Sequence, residues 1–251
     1  TLLLDVDGTL LDFEEAERVA LEATFRRHGY PLDHSIKKMY HSINRKLWKQ
    51  FERGEISREQ VIYSRFVDLF QAAGIEGDGR AFEDEYQEEL GRGAFLIPGA
   101  KEICAYCAQF CDLYIVTNGV SRTQYSRLRD SGLDRFMKGI FVSEDAGYQK
   151  PMKEYFDYVF ARIPGFSPKK TLIVGDSLSS DIQGGNNAGI DTCGGPGKLY
   201  DPPPGCSEGF DWMKACIKQA CFLGIASEVS FWKDVAKRLT QLICYDIILP
   251  R

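Results

Sequence analysis

No run of 18 or more apolar residues occurs in the 251-residue chain, so nothing in it reads as a membrane-spanning helix. A surplus of positive charge is also missing: 31 Lys and Arg face 36 Asp and Glu, for a net charge of −5. That balance argues against a nucleic-acid polymer as the main partner, and a small anionic substrate would need a local positive site. The phosphate-loop spacing Gly-x-x-x-x-Gly-Lys-Ser/Thr is absent, since Gly195-Pro-Gly-Lys198 does not supply it. There are eight cysteines, yet Cys104, Cys107 and Cys111 lack a nearby fourth ligand for zinc. Their spacing predicts one buried helix face, and reduced thiols with a cytoplasmic location are the default expectation. Thr1 already lies inside the first expected strand, so a few upstream residues are expected to be missing, and a cleaved signal peptide is not expected.

What is present suffices for a full core: 44% apolar and 27% charged residues are ordinary for a soluble globular chain. The organising stretch is Thr1–Leu10. Leu2, Leu3 and Leu4 read as a strand buried on both faces, as in the middle of a parallel sheet. Asp5 and Asp7, two apart on an extended chain, project the same way at its carboxyl end, where open α/β sheets bind ligands. Two close carboxylates repel, and a divalent cation or a shared proton relieves them. Gly8 frees the backbone to turn, although Asp-Gly after a strand is also a plain turn signal.

Four helices are expected next, over 12–27, 33–53, 57–74 and about 80–90. Apolar positions in the first are Ala16, Val19, Ala20, Ala23 and Phe25. From Leu96 the pattern becomes alternating: helices at about 100–110, 121–131, 153–163 and a short one after Asp181, with strands at 113–117, 139–143, 171–175 and 190–193. Repeated strand–helix units imply a parallel sheet.

Asp5-Val-Asp7-Gly8-Thr9-Leu10 resembles the first motif of the haloacid-dehalogenase-like phosphatase superfamily. Ile115-Val-Thr117-Asn118-Gly119, Lys150-Pro151 and Gly175-Asp176-Ser-Leu-Ser-Ser-Asp181 resemble its other three, in the same order. The resemblance runs from Thr1 to about Cys193. It implies an α/β fold with a Rossmann-like parallel sheet core (1–13 and 95–251, of which 194–251 is a divergent tail) and an inserted helical cap (14–94). It also implies Mg²⁺, held by Asp5, the Asp7 backbone carbonyl and Asp176, with Asp181 bound directly or through water. Asp5 is implied as the nucleophile, Asp7 as general acid and base, and Thr117, Asn118 and Lys150 as phosphate-binding groups.

The expected substrate is a small phosphorylated metabolite. Residues 46–57 resemble caps of pyrimidine 5′-nucleotidase-like members, which makes Phe13 and Trp48 candidates to stack on a base and Arg65 to meet a polar edge; burial in the cap is the alternative for all three. Asp7 favours phosphoryl transfer over carbon–halogen cleavage, because the dehalogenases lack a second acid there. A sugar phosphomutase and a catalytically silent binding module stay open. A phosphonate hydrolase would need a cap lysine, but Lys37, Lys38, Lys46 and Lys49 read as helix surface. Monomer and homodimer are both compatible with the sequence. Beyond Cys193 a Gly- and Pro-rich stretch precedes two expected amphipathic helices, at 210–223 and 228–245; a divergent terminus and a shifted reading frame both produce such a departure.

Overall fold

The computed structural model describes residues 1–194; the two helices expected at 210–223 and 228–245 lie outside them. After β1 (Leu2–Leu4) come four consecutive helices, α1 (Phe13–His28), α2 (His34–Glu52), α3 (Arg58–Ala73) and α4 (Gly79–Gly91). Each starts at a side chain that satisfies an otherwise orphaned N–H: Asp12 accepts from Glu15, Asp33 from Ile36 and Asp78 from Arg80 and Ala81. Ser57 and Gln60 form a reciprocal capping box at α3. The four helices enclose an aromatic core in which Phe66 meets Phe82 with centroids 4.7 Å apart at 61°, and Phe25 meets Phe82 at 5.0 Å and 77°. Such tilted contacts set the positive edge of one ring against the negative face of another.

On α1 the inward face differs from the expected one. Val19 and Ala23 are half-buried, whereas Glu17 and Thr24 point inside. Both are satisfied there: the Glu17 carboxylate accepts from the Tyr40 hydroxyl at 3.0 Å and from Asn44 at 3.2 Å, and the Thr24 hydroxyl donates to the Ala20 carbonyl at 2.8 Å.

The remaining elements are α5 (Ala100–Cys107), β2 (Leu113–Thr117), α6 (Ser121–Ser131), β3 (Gly139–Val142), α7 (Ser143–Ala146), α8 (Lys153–Phe160), β4 (Leu172–Gly175), a π-helical turn (Leu178–Ile182), α9 (Gln183–Ala188) and β5 (Asp191–Gly194). The five strands form one parallel sheet in the order β3-β2-β1-β4-β5. Alternate residues feed two cores. Leu2, Leu4, Leu113, Ile115, Leu172 and Val174 pack with Ile103 and Cys104 of α5 and Leu128 of α6 on one face. Leu3, Tyr114, Val116 and Ile173 pack with Tyr155, Phe156 and Val159 of α8 on the other.

Helices α5 and α8 stop three residues before their expected ends. Gln109 and Phe110 bond to Tyr106 and Cys107, and Arg162 and Ile163 to Val159 and Phe160, three residues back, which tightens the chain out of the α-helix. The helix expected after Asp181 starts earlier, so Asp181 sits within the π-helical turn. Cys104 and Cys107 are buried as the spacing predicts, whereas Cys111 lies past the end of α5 and is only half-buried; burial pushes the Cys104 thiol up to about 12. No helix among the described residues is long and apolar enough to cross a membrane. The chain moves from β1 to β2 and β3 on one side, then returns to place β4 on the other. The strand order therefore reverses beside β1, and a crevice opens at the carboxyl ends of β1 and β4.

Candidate active site

Residues 5–11 form a tight loop at that crevice. The Asp5 N–H still donates to the Val174 carbonyl at 2.9 Å, while the Val6 carbonyl accepts from the N–H groups of Leu10 and Leu11, both at 2.9 Å. Gly8 has φ +76°, and a Cβ there would stand 2.6 Å from Asp176 Oδ2. Only glycine permits both the left-handed backbone and the close approach of the two loops. Asp5 and Asp7 line one cavity there but take different partners.

Lys150 is the electrostatic centre. Its Nζ, 1% exposed as a residue, donates to Asp5 Oδ1 at 2.7 Å, Asp181 Oδ1 at 2.7 Å and the Val116 carbonyl at 2.8 Å. Burial alone would lower the Lys150 pKa, but Asp181 and Asp5 outweigh it and raise it. Burial pushes the Asp5 carboxyl well above the ordinary range; Lys150 opposes this, and Asp181 and Asp176 add to it. Burial and the neighbouring Asp181 push Asp176 up to about 6.

One carboxylate oxygen from each of Asp5, Asp176 and Asp181 lies within 4.8 Å of the others. A crowded set of hard oxygen donors, with proton affinity raised by burial and mutual repulsion, fits a divalent cation of the Mg²⁺ type. Asp181 is fixed by its own loop, since its Oδ2 accepts from the Ser177 N–H at 3.1 Å.

Thr117, at the end of β2, offers its Oγ1 to the Gly119 N–H at 3.2 Å and to Gln124 Nε2 at 2.9 Å. The Asn118 side chain faces away from this group and clasps the Lys150 backbone in both directions, donating to its carbonyl and accepting from its N–H at 2.9 Å each. Asp7 is held from α6: Gln124 Nε2 donates to Oδ2 at 2.7 Å, and Arg127 forms an ion pair with Oδ1. Gln124 and Arg127 are functional neighbours that sequence reasoning missed. Their only sequence signal is a polar i, i+3 pair on a helix following Thr117-Asn118-Gly119.

Asp5, Asp7, Thr117, Gln124, Lys150 and Asp176 line a cavity of about 230 Å³ whose far wall comes from the bundle, with Asp181 buried behind them. Phe13, Trp48 and Arg65 are in that wall, together with Asn44 and Glu52. Phe13 lies under the Arg127 guanidinium at 5.8 Å, and Trp48 meets Phe51 edge-on at 5.6 Å. Arg65 is committed elsewhere: its guanidinium pairs with buried Glu83 at 2.5 and 2.6 Å and donates to Asn44 at 3.3 Å. The bundle meets the sheet loops through residues 51–58. Gln149 donates to the Phe51 carbonyl at 2.8 Å and the Ser179 hydroxyl to Glu52 at 2.8 Å, while Arg58 donates to the carbonyls of Asn118 and Gly119 and to the Ser143 hydroxyl.

A lysine among buried carboxylates at the carboxyl ends of a parallel sheet, roofed by an inserted helical bundle, defines an α/β enzyme built to handle a small anionic group. More narrowly, the chain belongs to the haloacid dehalogenase-like hydrolase family, whose sequence profile matches residues 1–189. It is 54% identical to the HAD-hydrolase YfnB of Bacillus subtilis over 193 residues, 77% of this chain and 82% of that protein. It is 41% identical to the pyrimidine 5′-nucleotidase PynA of Streptococcus pneumoniae over 192 residues, 76% and 81% of the two chains. A crystal structure of YfnB from Bacillus subtilis, described as bound to magnesium and as revealing interdomain movement, superposes with a TM-score of 0.76 at 52% identity, covering 81% of this chain and 89% of that one.

Proposed function

We propose that this hydrolase is a Mg²⁺-dependent phosphatase that cleaves small phosphate monoesters, nucleoside 5′-monophosphates foremost, through an aspartyl-phosphate on Asp5. The observation that carries this reading is the convergence of Asp5, Lys150, Asp176 and Asp181 from three strand ends on one buried point. Asp5, the Asp7 carbonyl, Asp176 and Asp181 would hold the cation. When bound, it would offset the repulsion between the phosphate dianion and the carboxylates.

The chain's own groups supply the rest. An oxygen of Asp5 attacks phosphorus, and the bond from phosphorus to the ester oxygen breaks. Asp7, oriented by Gln124 and Arg127, gives its proton to the departing alkoxide. It then takes a proton from the water that attacks the acyl phosphate, which releases inorganic phosphate and regenerates Asp5. Acid–base assistance of this kind contributes about 10²–10⁴-fold. Lys150 offsets charge on Asp5 and the phosphoryl oxygens, and the Thr117 hydroxyl and adjacent N–H groups hold those oxygens.

Hydrolysis is favoured over a mutase reaction by the bundle side of the cavity. On that side Arg65 is already paired with Glu83, and Glu52 adds a carboxylate, so a second phosphate on the substrate would meet no unpaired cation among the described bundle residues that line the cavity. The nucleotide assignment rests on the likeness to PynA and on Phe13 and Trp48 in the wall. In this reading the bundle is the cap over the site, and the chain acts as a cytoplasmic enzyme on a free metabolite. Incubation of wild type and Asp5→Asn with a panel of nucleoside monophosphates, with and without Mg²⁺, tests it. Phosphate release by wild type with Mg²⁺ and its loss in the variant are expected, and an unchanged rate in Asp5→Asn would overturn the reading.

A further inference from the structure

Three side chains, Gln149, Ser179 and Arg58, bond across between residues 51–58 and the loops around the site, and each does so beside a site residue. Gln149, which holds the Phe51 carbonyl, precedes Lys150; Ser179, which donates to Glu52, lies two before Asp181; Asn118 and Gly119, held by Arg58, follow Thr117. We propose that Arg58 is a positioning residue for the phosphoryl-binding loop 117–120, so that seating the bundle on the sheet loops and aligning that loop are one event. The proposal rests on the phosphatase reading for its kinetic consequence, and on the hydrogen bonds of Arg58 alone for its structural one.

The physical argument begins with the peptide unit. In a trans peptide the C=O and N–H point in opposite directions, and the Lys150–Pro151 bond is the only cis peptide among the described residues. A guanidinium on the carbonyls of Asn118 and Gly119 therefore fixes the N–H groups of Gly119 and Val120 away from itself. The Gly119 N–H accordingly turns back on Thr117 Oγ1, and Asn118, Gly119 and Val120 all line the catalytic cavity. Two carbonyls and the Ser143 hydroxyl need several donors in a rigid plane, which arginine has and lysine lacks. Arg58 is itself held by the Phe51 ring, 5.1 Å from its guanidinium carbon. Among the described residues no lysine or arginine of the sheet domain takes these carbonyls, and the orienting charge comes from the bundle.

Hydrogen–deuterium exchange and steady-state kinetics on full-length wild type, Arg58→Ala and Arg58→Lys test this, after thermal unfolding has established that each variant folds. Faster exchange confined to residues 117–121 is expected in both variants, because the loop loses its anchor while the sheet keeps its own bonds. With p-nitrophenyl phosphate and Mg²⁺, kcat should fall at least tenfold in Arg58→Ala with KM changed less, since alignment matters most at the transition state. Guanidinium ion should restore part of that loss: Arg58 also lines an outer cleft of about 1300 Å³, through which the ion can reach the vacated position. Arg58→Lys should remain impaired. Wild-type exchange at 117–121 in a folded Arg58→Ala, or a kcat within twofold of wild type, would overturn the proposal. Absence of turnover in wild type would instead remove the phosphatase reading and leave exchange to decide the role of Arg58.

Discussion

Asp176 shows what the site costs the free protein. Its carboxyl is pushed from an ordinary 3.8 up to about 6 by burial and Asp181. A carboxyl with a raised folded-state pKa binds more protons folded than unfolded, so its contribution to stability is full below about pH 4 and is lost as pH rises through about 6. Without divalent cations, Asp176→Asn should be more stable than wild type at pH 7, by on the order of 1–3 kcal/mol. The gap should vanish below about pH 4, as read by urea denaturation across that range. The acids themselves were legible in the sequence, since each follows an apolar strand-forming run and strand ends are where such a sheet places chemistry. Gln124 and Arg127 were not legible, because their meaning depends on α6 leaning over Asp7, a tertiary fact. Arg58 reads as the first residue of a helix, and its reach across to Asn118 appears only when bundle and sheet meet.

Between elements, the buried pair joining α3 to α4 is the sharpest test. Arg65 and Glu83 are 2% and 0% exposed. Burial raises Glu83 and Arg65 opposes this. Removing one partner leaves the other charge stranded, so Arg65→Met should destabilise by about 3–5 kcal/mol, whereas Arg65→Met with Glu83→Leu should recover most of the loss. Chemical denaturation of the two variants side by side measures it, and equal destabilisation would show that packing rather than charge dominates. This explains why Arg65 reads differently in sequence and structure. Its place on the cavity-facing helix was legible, but its consumption by Glu83 needed a partner 18 residues away. The first three helix starts were legible for the opposite reason, since Asp12, Asp33 and Ser57 act within three residues of themselves. The ends of α5 and α8 depend on a choice between bonds to the third or fourth residue back, which no residue type there dictates.

For the molecule as a whole, four site acids face Lys150 and Arg127, so the crevice keeps a surplus of negative charge. A cation that binds only the folded chain stabilises it by mass action, about 2.7 kcal/mol at a hundredfold excess over Kd. Mg²⁺ should therefore raise the Tm of wild type, chelator should reverse this, and Asp176→Asn should lose most of the response, all measurable by differential scanning calorimetry. The parallel sheet and the four-helix insertion were legible from periodicity, whereas the bridge formed by residues 51–58 was not. One further consequence follows from β1 lying at the middle of the sheet: Leu4 pairs with Ile115 on one side and Val174 on the other. During synthesis the opening strand must wait, unpartnered, until more than a hundred later residues have left the ribosome, while α1 to α4 can gather around their own aromatic core in the meantime. The roof can therefore form before the floor it covers.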